Sequence, residues 1–195
     1  MTALDVTSQD VLDFWFGARG SPQYGARREA WFKKSDAFDR EIRERFLGLY
    51  EAAASGALRA WQAQPHSLLA LIIVLDQFPR SMFRGTVRAF ASDAQALEAA
   101  QRMVDCGWDQ TLLPVERQFV YLPFEHAEDL SMQQRALQLF GDISEDAAYA
   151  DLLVWCRKHY DIIARFGRFP HRNALLQRAS SAAEEEFLAQ PGSSF

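Results

Sequence analysis

The stretch Leu68-Leu69-Ala70-Leu71-Ile72-Ile73-Val74-Leu75 decides the fold class of this chain. All of its side chains are apolar, so a helix formed here has no polar face and must be buried on every side. Pro65 lies just before the run, and proline suits the first turn of a helix. A buried strand is the alternative, but no other segment has the pattern of a strand that could pair with it. The stretch is therefore predicted to form the central helix of an all-α fold.

Helix start and stop signals recur on both sides of this segment. Capping boxes are predicted at Thr7 to Asp10, Ser92 to Gln95 and Ser181 to Glu184, a further cap at Ser144, and stops at Gly17, Gly56, Gly141 and Gly167. The central helix is expected to end at the segment from Asp76 to Arg80, and another to run from Val115 towards Leu130. Eight to ten helices joined by short connections predict antiparallel helix pairs. We expect one domain over residues 1–195, with an ordered core from about 7 to 190.

Composition and charge narrow the classes of function. The net charge of −5 and the absence of a basic face argue against nucleic-acid binding. The beginning of the chain lacks the pattern of a signal peptide, and its longest apolar run is too short to span a membrane. Cys106 and Cys156 lack metal or redox spacing and are interpreted as core thiols of a reducing compartment. A cytoplasmic location is therefore expected, without membrane or nucleic-acid partners; the oligomeric state is left open.

The most unusual polar segment is Arg165-Phe166-Gly167-Arg168-Phe169-Pro170-His171-Arg172-Asn173. Arg165 is predicted in a last helical turn, Gly167 as the helix stop and Pro170 as the first residue of a new helix. Phe169 then occupies the N-cap position, where its side chain cannot accept hydrogen bonds from the exposed backbone N–H groups. A negative group is expected at this corner, either a carboxylate from elsewhere in the chain or a bound anion.

Phe78-Pro79-Arg80 echoes this segment, because both place an arginine after a proline that can open a helical turn. Arginines that converge from the two segments would form a fork-shaped site for phosphate or carboxylate. The alternative is internal ion pairing, in which these arginines neutralise carboxylates of the chain, since buried charges are normally paired. The residues of that alternative are Arg80, Arg84, Arg168 and Arg172 with Asp76, Glu125, Glu128 and Asp129.

Leu122-Pro123-Phe124-Glu125-His126-Ala127-Glu128-Asp129 is the third polar segment. Glu125 and Asp129 are four residues apart and would share one helix face. His126 beside these carboxylates could act as a general base or metal ligand, although a hydrogen-bonded core histidine is the favoured interpretation. His159 is interpreted as a structural histidine on a packing face. The segment lacks a zinc-hydrolase motif and the chain lacks a phosphate-binding glycine loop, so no metal or cofactor is expected.

These segments, together with Val11-Leu12-Asp13-Phe14-Trp15-Phe16-Gly17 and Leu75-Asp76-Gln77-Phe78-Pro79-Arg80, resemble the bacterial domain-of-unknown-function family numbered 924. The resemblance covers about residues 8–190. It implies a superhelical α-α fold similar to tetratricopeptide-repeat hairpins, and it implies no biochemical activity. Three positions depart from the family pattern: Ser81 replaces a usual Asn, Ala127 a usual Ser, and Gln177 a usual Gly.

The leading hypothesis is a soluble binding module with a cleft for an anionic small molecule or an acidic peptide. The candidate ligand-binding residues are Asp76, Arg80, Arg84, His126, Glu128, Asp129, Arg165, Arg168, His171, Arg172 and Asn173. One alternative is a hydrolase or isomerase with His126 or His171 as its acid/base. Another is a protein-interaction scaffold whose polar network is purely structural.

Overall fold

The computed structural model describes residues 6–193, and helices are the only regular elements in that range. The α-helices, in chain order, are α1 (Ser8–Phe16), α2 (Asp36–Ala54), α3 (Pro65–Met82), α4 (Asp93–Asp105), α5 (Pro114–His126), α6 (Leu130–Ser144), α7 (Ala150–Phe166) and α8 (Ala182–Leu188). Short 3₁₀ helices lie between them at Glu29–Trp31, Arg59–Ala63, Val87–Phe90, Trp108–Thr111, Ala147–Tyr149 and Pro170–Arg172. The predicted all-α fold class is confirmed.

The described chain forms two compact units, and the division between them falls within α5. The N-terminal unit comprises residues 6–84 and 88–123, and the C-terminal unit comprises residues 85–87 and 124–193. A single domain over residues 1–195 and a superhelix of the tetratricopeptide type stay predictions. None of the described helices combines the length and the apolar character that a membrane span requires.

The core of the N-terminal unit is built around α3. Every residue from Leu68 to Leu75 is buried, and α1, α2 and α4 all pack against this helix. An aromatic cluster, in which Trp15, Phe78 and Phe119 are fully buried, extends the core towards α1 and α5. Burying one Leu or Ile side chain contributes about 2 kcal/mol. The buried-helix interpretation of this run is therefore correct.

α3 continues past its predicted end. It includes Asp76 to Arg80 and reaches Met82, with Pro79 inside the helix. Proline has no N–H for the carbonyl of Leu75, four residues earlier, and such a loss normally breaks a helix. The Ser92 hydroxyl donates to that carbonyl oxygen at 2.6 Å. Ser92 thus supplies the missing hydrogen bond, and the predicted capping box with Gln95 is wrong, because the Ser92 side chain caps no helix.

The C-terminal unit is built on α6 and α7, which pack against each other. A small apolar core of Ile162, Ile163 and Phe169 lies at the end of α7, with Phe166 and Phe187 packed on it. The predicted capping box at Ser181 and Glu184 is confirmed, as is the corresponding box at Thr7 and Asp10 in the other unit.

Helix boundaries in the C-terminal unit differ from the predictions at two places. α5 ends at His126, and Asp129 caps α6 by accepting hydrogen bonds from the N–H groups of Ser131 and Met132. Glu125 and Asp129 therefore do not share a helix face. α6 continues through Gly141 and ends at Ser144. The predicted helix stop at Gly141 and the predicted cap at Ser144 are therefore both wrong. Asp146 instead caps the 3₁₀ helix that leads into α7.

Cys106 is exposed, whereas Cys156 is buried, and both are free thiols. The prediction of a core thiol is thus confirmed for Cys156 and wrong for Cys106. Cys106 lies directly after α4, where the chain turns at Gly107 towards solvent.

Candidate functional site

Arg80 and Asp76 form an ion pair within the last turns of α3. Arg80 Nη1 lies 3.1 Å from Asp76 Oδ1 and also donates to the Asp76 carbonyl at 2.6 Å. Asp93 binds the same guanidinium through both carboxylate oxygens, at 2.9 and 3.1 Å. The Gln77 amide donates to Asp76 Oδ2. We call these four residues, Asp76, Gln77, Arg80 and Asp93, the Arg80 cluster.

Arg84 forms a more exposed pair in the same unit. Its Nε and Nη2 atoms donate to the two carboxylate oxygens of Asp39, each at 3.0 Å. Nearly half of the Arg84 side chain is exposed to solvent. The N-terminal unit thus contains ion pairs formed by Asp76, Arg80 and Arg84. A cleft that these residues would share with the other predicted residues stays a prediction.

The corner after α7 has the predicted backbone. Arg165 lies in the last helical turn, Gly167 ends α7 in the left-handed region with φ of 69°, and Pro170 opens the short 3₁₀ helix. Phe169 is its N-cap residue and makes no side-chain cap. The expected negative group is a carboxylate of the chain, because Glu128 Oε1 accepts the Phe169 N–H at 2.8 Å.

Glu128 is in turn held by Arg178. Two parallel hydrogen bonds of 2.6 and 2.9 Å join the guanidinium to the carboxylate, and Arg178 Nε donates to Asn173 Oδ1 at 3.0 Å. Burial alone would raise the pKa of Glu128, but the bonds from Arg178 and Phe169 hold it below its ordinary value. The Nδ2 atom of Asn173 donates to the Ser180 hydroxyl oxygen. Glu128 and Asn173, both predicted as ligand-binding residues, therefore fix the loop that contains Arg178.

Arg168 is tied to the start of α8. It donates to both carboxylate oxygens of Glu184, at 2.6 and 2.8 Å, and to the carbonyl of Ala179. Hydrogen bonds from Arg168 and from the Ser181 N–H lower the pKa of Glu184. Arg165 is exposed and stacks on Phe166 instead. Asp129 is exposed as well and serves as the α6 cap described above.

Three basic side chains lie against the buried ring of Phe169, and a fourth lies beside one of them. The guanidinium carbon of Arg172 lies 4.5 Å from the ring centre, and the rings of His159 and His171 each lie 5.6 Å from it. The ring of His126 lies 6.4 Å from that of His159. Arg172 is only 7% exposed. We call His126, His159, Phe169, His171 and Arg172 the Phe169 cluster.

The hydrogen bonds of His159 fix its tautomer. Its Nδ1 atom lies 2.9 Å from the Trp155 carbonyl oxygen and 3.1 Å from Glu125 Oε1. A carbonyl oxygen can only accept, so Nδ1 carries the proton and Nε2 carries the lone pair of the neutral ring. Burial, together with the positive charge of Arg172 and the neighbouring histidines, lowers the pKa of His159 to about 3. His159 is therefore neutral at physiological pH.

His171 and Cys156 are affected by the same surroundings. Burial and the charge of Arg172 lower the pKa of His171 to about 4, against an opposing effect of Glu128. Burial and the negative charge of Glu125 raise the pKa of the Cys156 thiol. Cys156 is thus a protonated thiol, which excludes it as a nucleophile at neutral pH.

The structure brings together three of the predicted residues, His126, His171 and Arg172, in the Phe169 cluster. Sequence reasoning took His159 for a structural histidine and left it out of the candidate set; nor did that set contain Glu125 or Arg178. The spacing of His159 from Trp155 and Ile163 indicated an inward position, but it could not show which charged groups the ring would meet. Arg178 gave only a weak signal, since it lies five residues beyond Asn173 and contacts Glu128 through tertiary folding.

Histidine and carboxylate side chains are also common metal ligands. Within residues 6–193, no group of three or more His, Cys, Asp or Glu side chains is placed to hold a metal ion.

Comparisons with known proteins agree with the resemblance seen in the sequence. The chain is similar to a solved structure of a protein of unknown function from Agrobacterium tumefaciens, with 40% sequence identity and a TM-score of 0.81. The similarity covers 93% of this chain and 96% of the other. No curated protein matches the chain. The family described as "Bacterial protein of unknown function (DUF924)" matches residues 11–192. The chain therefore belongs to this family.

Proposed function

We propose that the protein is a helical binding module whose Phe169 cluster holds an anionic group. The ligand class is a small molecule or an acidic peptide that presents a carboxylate, phosphate or sulfate group. Arg172 is the main contact in this proposal, with His126 and His171 beside it.

The observation that carries the proposal is the burial of Arg172 among imidazoles around one aromatic ring. A guanidinium packed on a ring keeps several N–H donors in a fixed plane, and that plane matches the geometry of carboxylate and phosphate oxygens. Stacking on Phe169 restricts its orientation, which reduces the entropy lost when a ligand binds.

The electrostatics of the cluster support the same ligand class. The charge of Arg172 is one of the causes that lower the pKa of both His159 and His171. A positive potential that disfavours a proton on these rings favours an anion at the same place. Burial strengthens this effect, because charges interact more strongly where water is excluded.

The neighbouring arginines have a different role in this proposal. Arg178 and Arg168 form two-bond pairs with Glu128 and Glu184, respectively. Each of these pairs satisfies the fork of its guanidinium, so we assign them to holding the loop in place. Arg165 offers a matched control, because it also stacks on a phenylalanine, at 4.6 Å, but is exposed.

Isothermal titration of the full chain with sulfate, succinate and an acidic peptide tests the proposal. We expect Arg172→Gln to weaken binding at least about tenfold, the loss of one charge-assisted contact, and Arg165→Gln to leave it unchanged. Arg172→Lys keeps the charge and removes the fork, so it should bind with intermediate affinity. Circular dichroism would confirm that each variant is folded. Wild-type protein that binds none of these ligands, or equal binding by Arg172→Gln, would overturn the proposal.

An enzyme is the second candidate, and the pairing of Glu125 with His159 favours it. A carboxylate at Nδ1 that leaves the lone pair on Nε2 is the arrangement of many general bases. The low pKa of His159 makes it a weak base at neutral pH, which is why binding is the leading proposal. An esterase and phosphatase screen separates the two. Activity that is lost in His159→Gln, His126→Ala or His171→Ala would establish catalysis, and activity unaffected by all three would remove this candidate.

A further inference from the structure

We propose that the Phe169 cluster binds its anion together with protons, which His159 and His171 take up from the solvent. This inference rests on the proposed function, since it describes how the same site accommodates a negative charge. It predicts a ligand affinity that increases as the pH falls.

Without a ligand, the permanently charged side chains that face the His159 and His171 rings are two positive and two negative ones. Arg172 and Arg178 bring two positive charges, and Glu125 and Glu128 bring two negative ones. Arg178 and Glu128 neutralise each other directly, and Glu125 acts as a negative charge on the Cys156 thiol. Arg172 attracts an anion that enters this buried environment, but the anion gives the cluster a net negative charge, which is costly where water is excluded.

His159 and His171 are the groups that can compensate that charge. Both rings are neutral at physiological pH because burial and Arg172 oppose their protonation. An anion placed beside them reverses the local potential and raises both pKa values. Nδ1 of His159 already carries a hydrogen bonded to Trp155 and Glu125, so the added proton goes to Nε2. The resulting imidazolium keeps the contacts of Nδ1 with Trp155 and Glu125.

The charged surroundings of these two rings come from several elements. α5 contributes Glu125 and His126, and α7 contributes Trp155, whose carbonyl accepts from His159, and Cys156. The 3₁₀ helix Pro170–Arg172 contributes His171 and Arg172, the α5–α6 connection contributes Glu128, and the connection after the 3₁₀ helix contributes Arg178. From α6, the Gln133 amide donates to the carbonyls of Glu125 and Ala127. The Trp155 carbonyl, Glu125 and Glu128 favour a protonated ring, and none of them is altered in the test below.

Linkage gives the size of the expected effect. Each proton that is taken up with the ligand increases the binding constant about tenfold for every unit by which the pH falls. We expect between one and two protons for a dianion, because His159 and His171 are the two histidines that a lowered pKa keeps neutral at pH 7. Binding should therefore tighten by about ten- to a hundredfold from pH 7 to pH 6.

Sulfate is the appropriate probe, because it stays a dianion over this pH range and contributes no proton of its own. Titration of the full chain with sulfate in two buffers of different ionisation enthalpy measures the number of protons taken up. We expect uptake at pH 7 and tighter binding at pH 6. His171→Gln should reduce the uptake by up to one proton and flatten the pH dependence, and His159→Gln should do the same.

His66→Gln is the matched control, because His66 lies in the N-terminal unit, where its Nε2 contacts Arg19. This variant should keep the wild-type proton uptake. Because His159 is buried, the His159→Gln variant could fail to fold. In that case the His171→Gln variant, at a half-buried position, and the wild-type protein decide the outcome. Sulfate binding without proton uptake, and with equal affinity at both pH values, would overturn this inference and leave the proposed function standing. Absence of sulfate binding would overturn it too, and the succinate and peptide titrations would then decide the proposed function separately.

Discussion

The Arg80 cluster and the Phe169 cluster begin from similar sequence and end in different chemistry. Both follow an apolar helical segment and place an arginine one or two residues after a Phe-Pro pair. In the first, Asp76 and Arg80 lie one turn apart on the same helix, and Asp93 completes the pair. In the second, the arginine lies among imidazoles, and the carboxylate that accepts the Phe169 N–H comes from 41 residues away in the chain.

The difference shows how the position of a proline changes the role of the arginine that follows it. Pro79 lies inside α3, because Ser92 satisfies the carbonyl that the proline leaves without an N–H. Arg80 therefore stays on a helix whose previous turn already provides a carboxylate. Pro170 begins a new 3₁₀ helix after Gly167 has ended α7. His171 and Arg172 are therefore not part of α7 and can contact side chains of other elements. The first arrangement holds helices together, and the second concentrates basic groups.

Removing Arg80 is the strongest test of a structural role for the first cluster. Arg80→Met leaves the carboxylate of Asp76, which is fully buried, without its cation, and we expect a loss of about 3–5 kcal/mol in unfolding free energy. Arg84→Met, which breaks the exposed pair with Asp39, should cost less than about 1 kcal/mol. Urea unfolding measures both. Equal losses for the two variants would contradict the structural assignment of the Arg80 cluster.

Acid should destabilise the protein through the second cluster. The pKa values of His159 and His171 are below that of an unfolded histidine, so below about pH 6.5 the unfolded chain binds more protons and stability falls with pH. The loss continues down to the folded pKa values of about 3 and 4. We expect a loss of about 2 kcal/mol from each histidine between pH 7 and pH 5, or about 3–4 kcal/mol for the two together.

Urea unfolding at the two pH values, without sulfate or other multivalent anions, measures this loss. His159→Gln should show a smaller loss than the wild-type protein, and His66→Gln should show the same loss. A stability that is constant from pH 7 to pH 5 would mean that the histidines are not held neutral in the folded state.

The smallest expected effect concerns the loop that holds Arg178. Gln177 has φ of 54°, in the left-handed region that glycine adopts without strain. Gln177→Gly should therefore stabilise the protein by about 0.5–1 kcal/mol, the relief of strain minus the entropy that glycine loses on folding. Gln134→Gly, at an exposed position within α6, should destabilise it by about 1 kcal/mol. A loss of stability in Gln177→Gly would contradict this interpretation of the loop.

The glycine that the family resemblance implies at this position therefore has a physical explanation. In the sequence, Gln177 was only a departure from a pattern. Its backbone conformation shows that the loop before Arg178 turns through the left-handed region even with a glutamine at this position.

Local signals predicted much of the fold. The Leu68–Leu75 run, the caps at Thr7 and Ser181 and the stop at Gly167 each act within one or two turns, and the structure confirms all of them. The end of α5 was missed for a local reason, because Asp129 in the connection after His126 caps the next helix. Errors also arose where a distant group overrides the local preference. Pro79 failed to end α3 because of the hydroxyl of Ser92.

The candidate site was predicted less completely, for the same reason. His171, Arg172 and the need for a negative group at Phe169 could be read from adjacent residues. The identity of that group as Glu128, its pairing with Arg178 and the contact of His159 with Glu125 join residues that lie tens of positions apart. No local pattern encodes such contacts, and the pKa values of the histidines depend on them.

The amino-acid sequence by itself determined the helical class of this protein, most of its helix ends and the basic character of the segment from Arg165 to Asn173. These properties follow from side-chain volume, hydrogen bonding within a turn and backbone preference, which are fixed by neighbouring residues. The tertiary structure alone decided which arginines bind carboxylates of the chain and which histidines become buried beside Arg172. Burial and charge pairing depend on distances between elements, and those distances exist only in the folded chain.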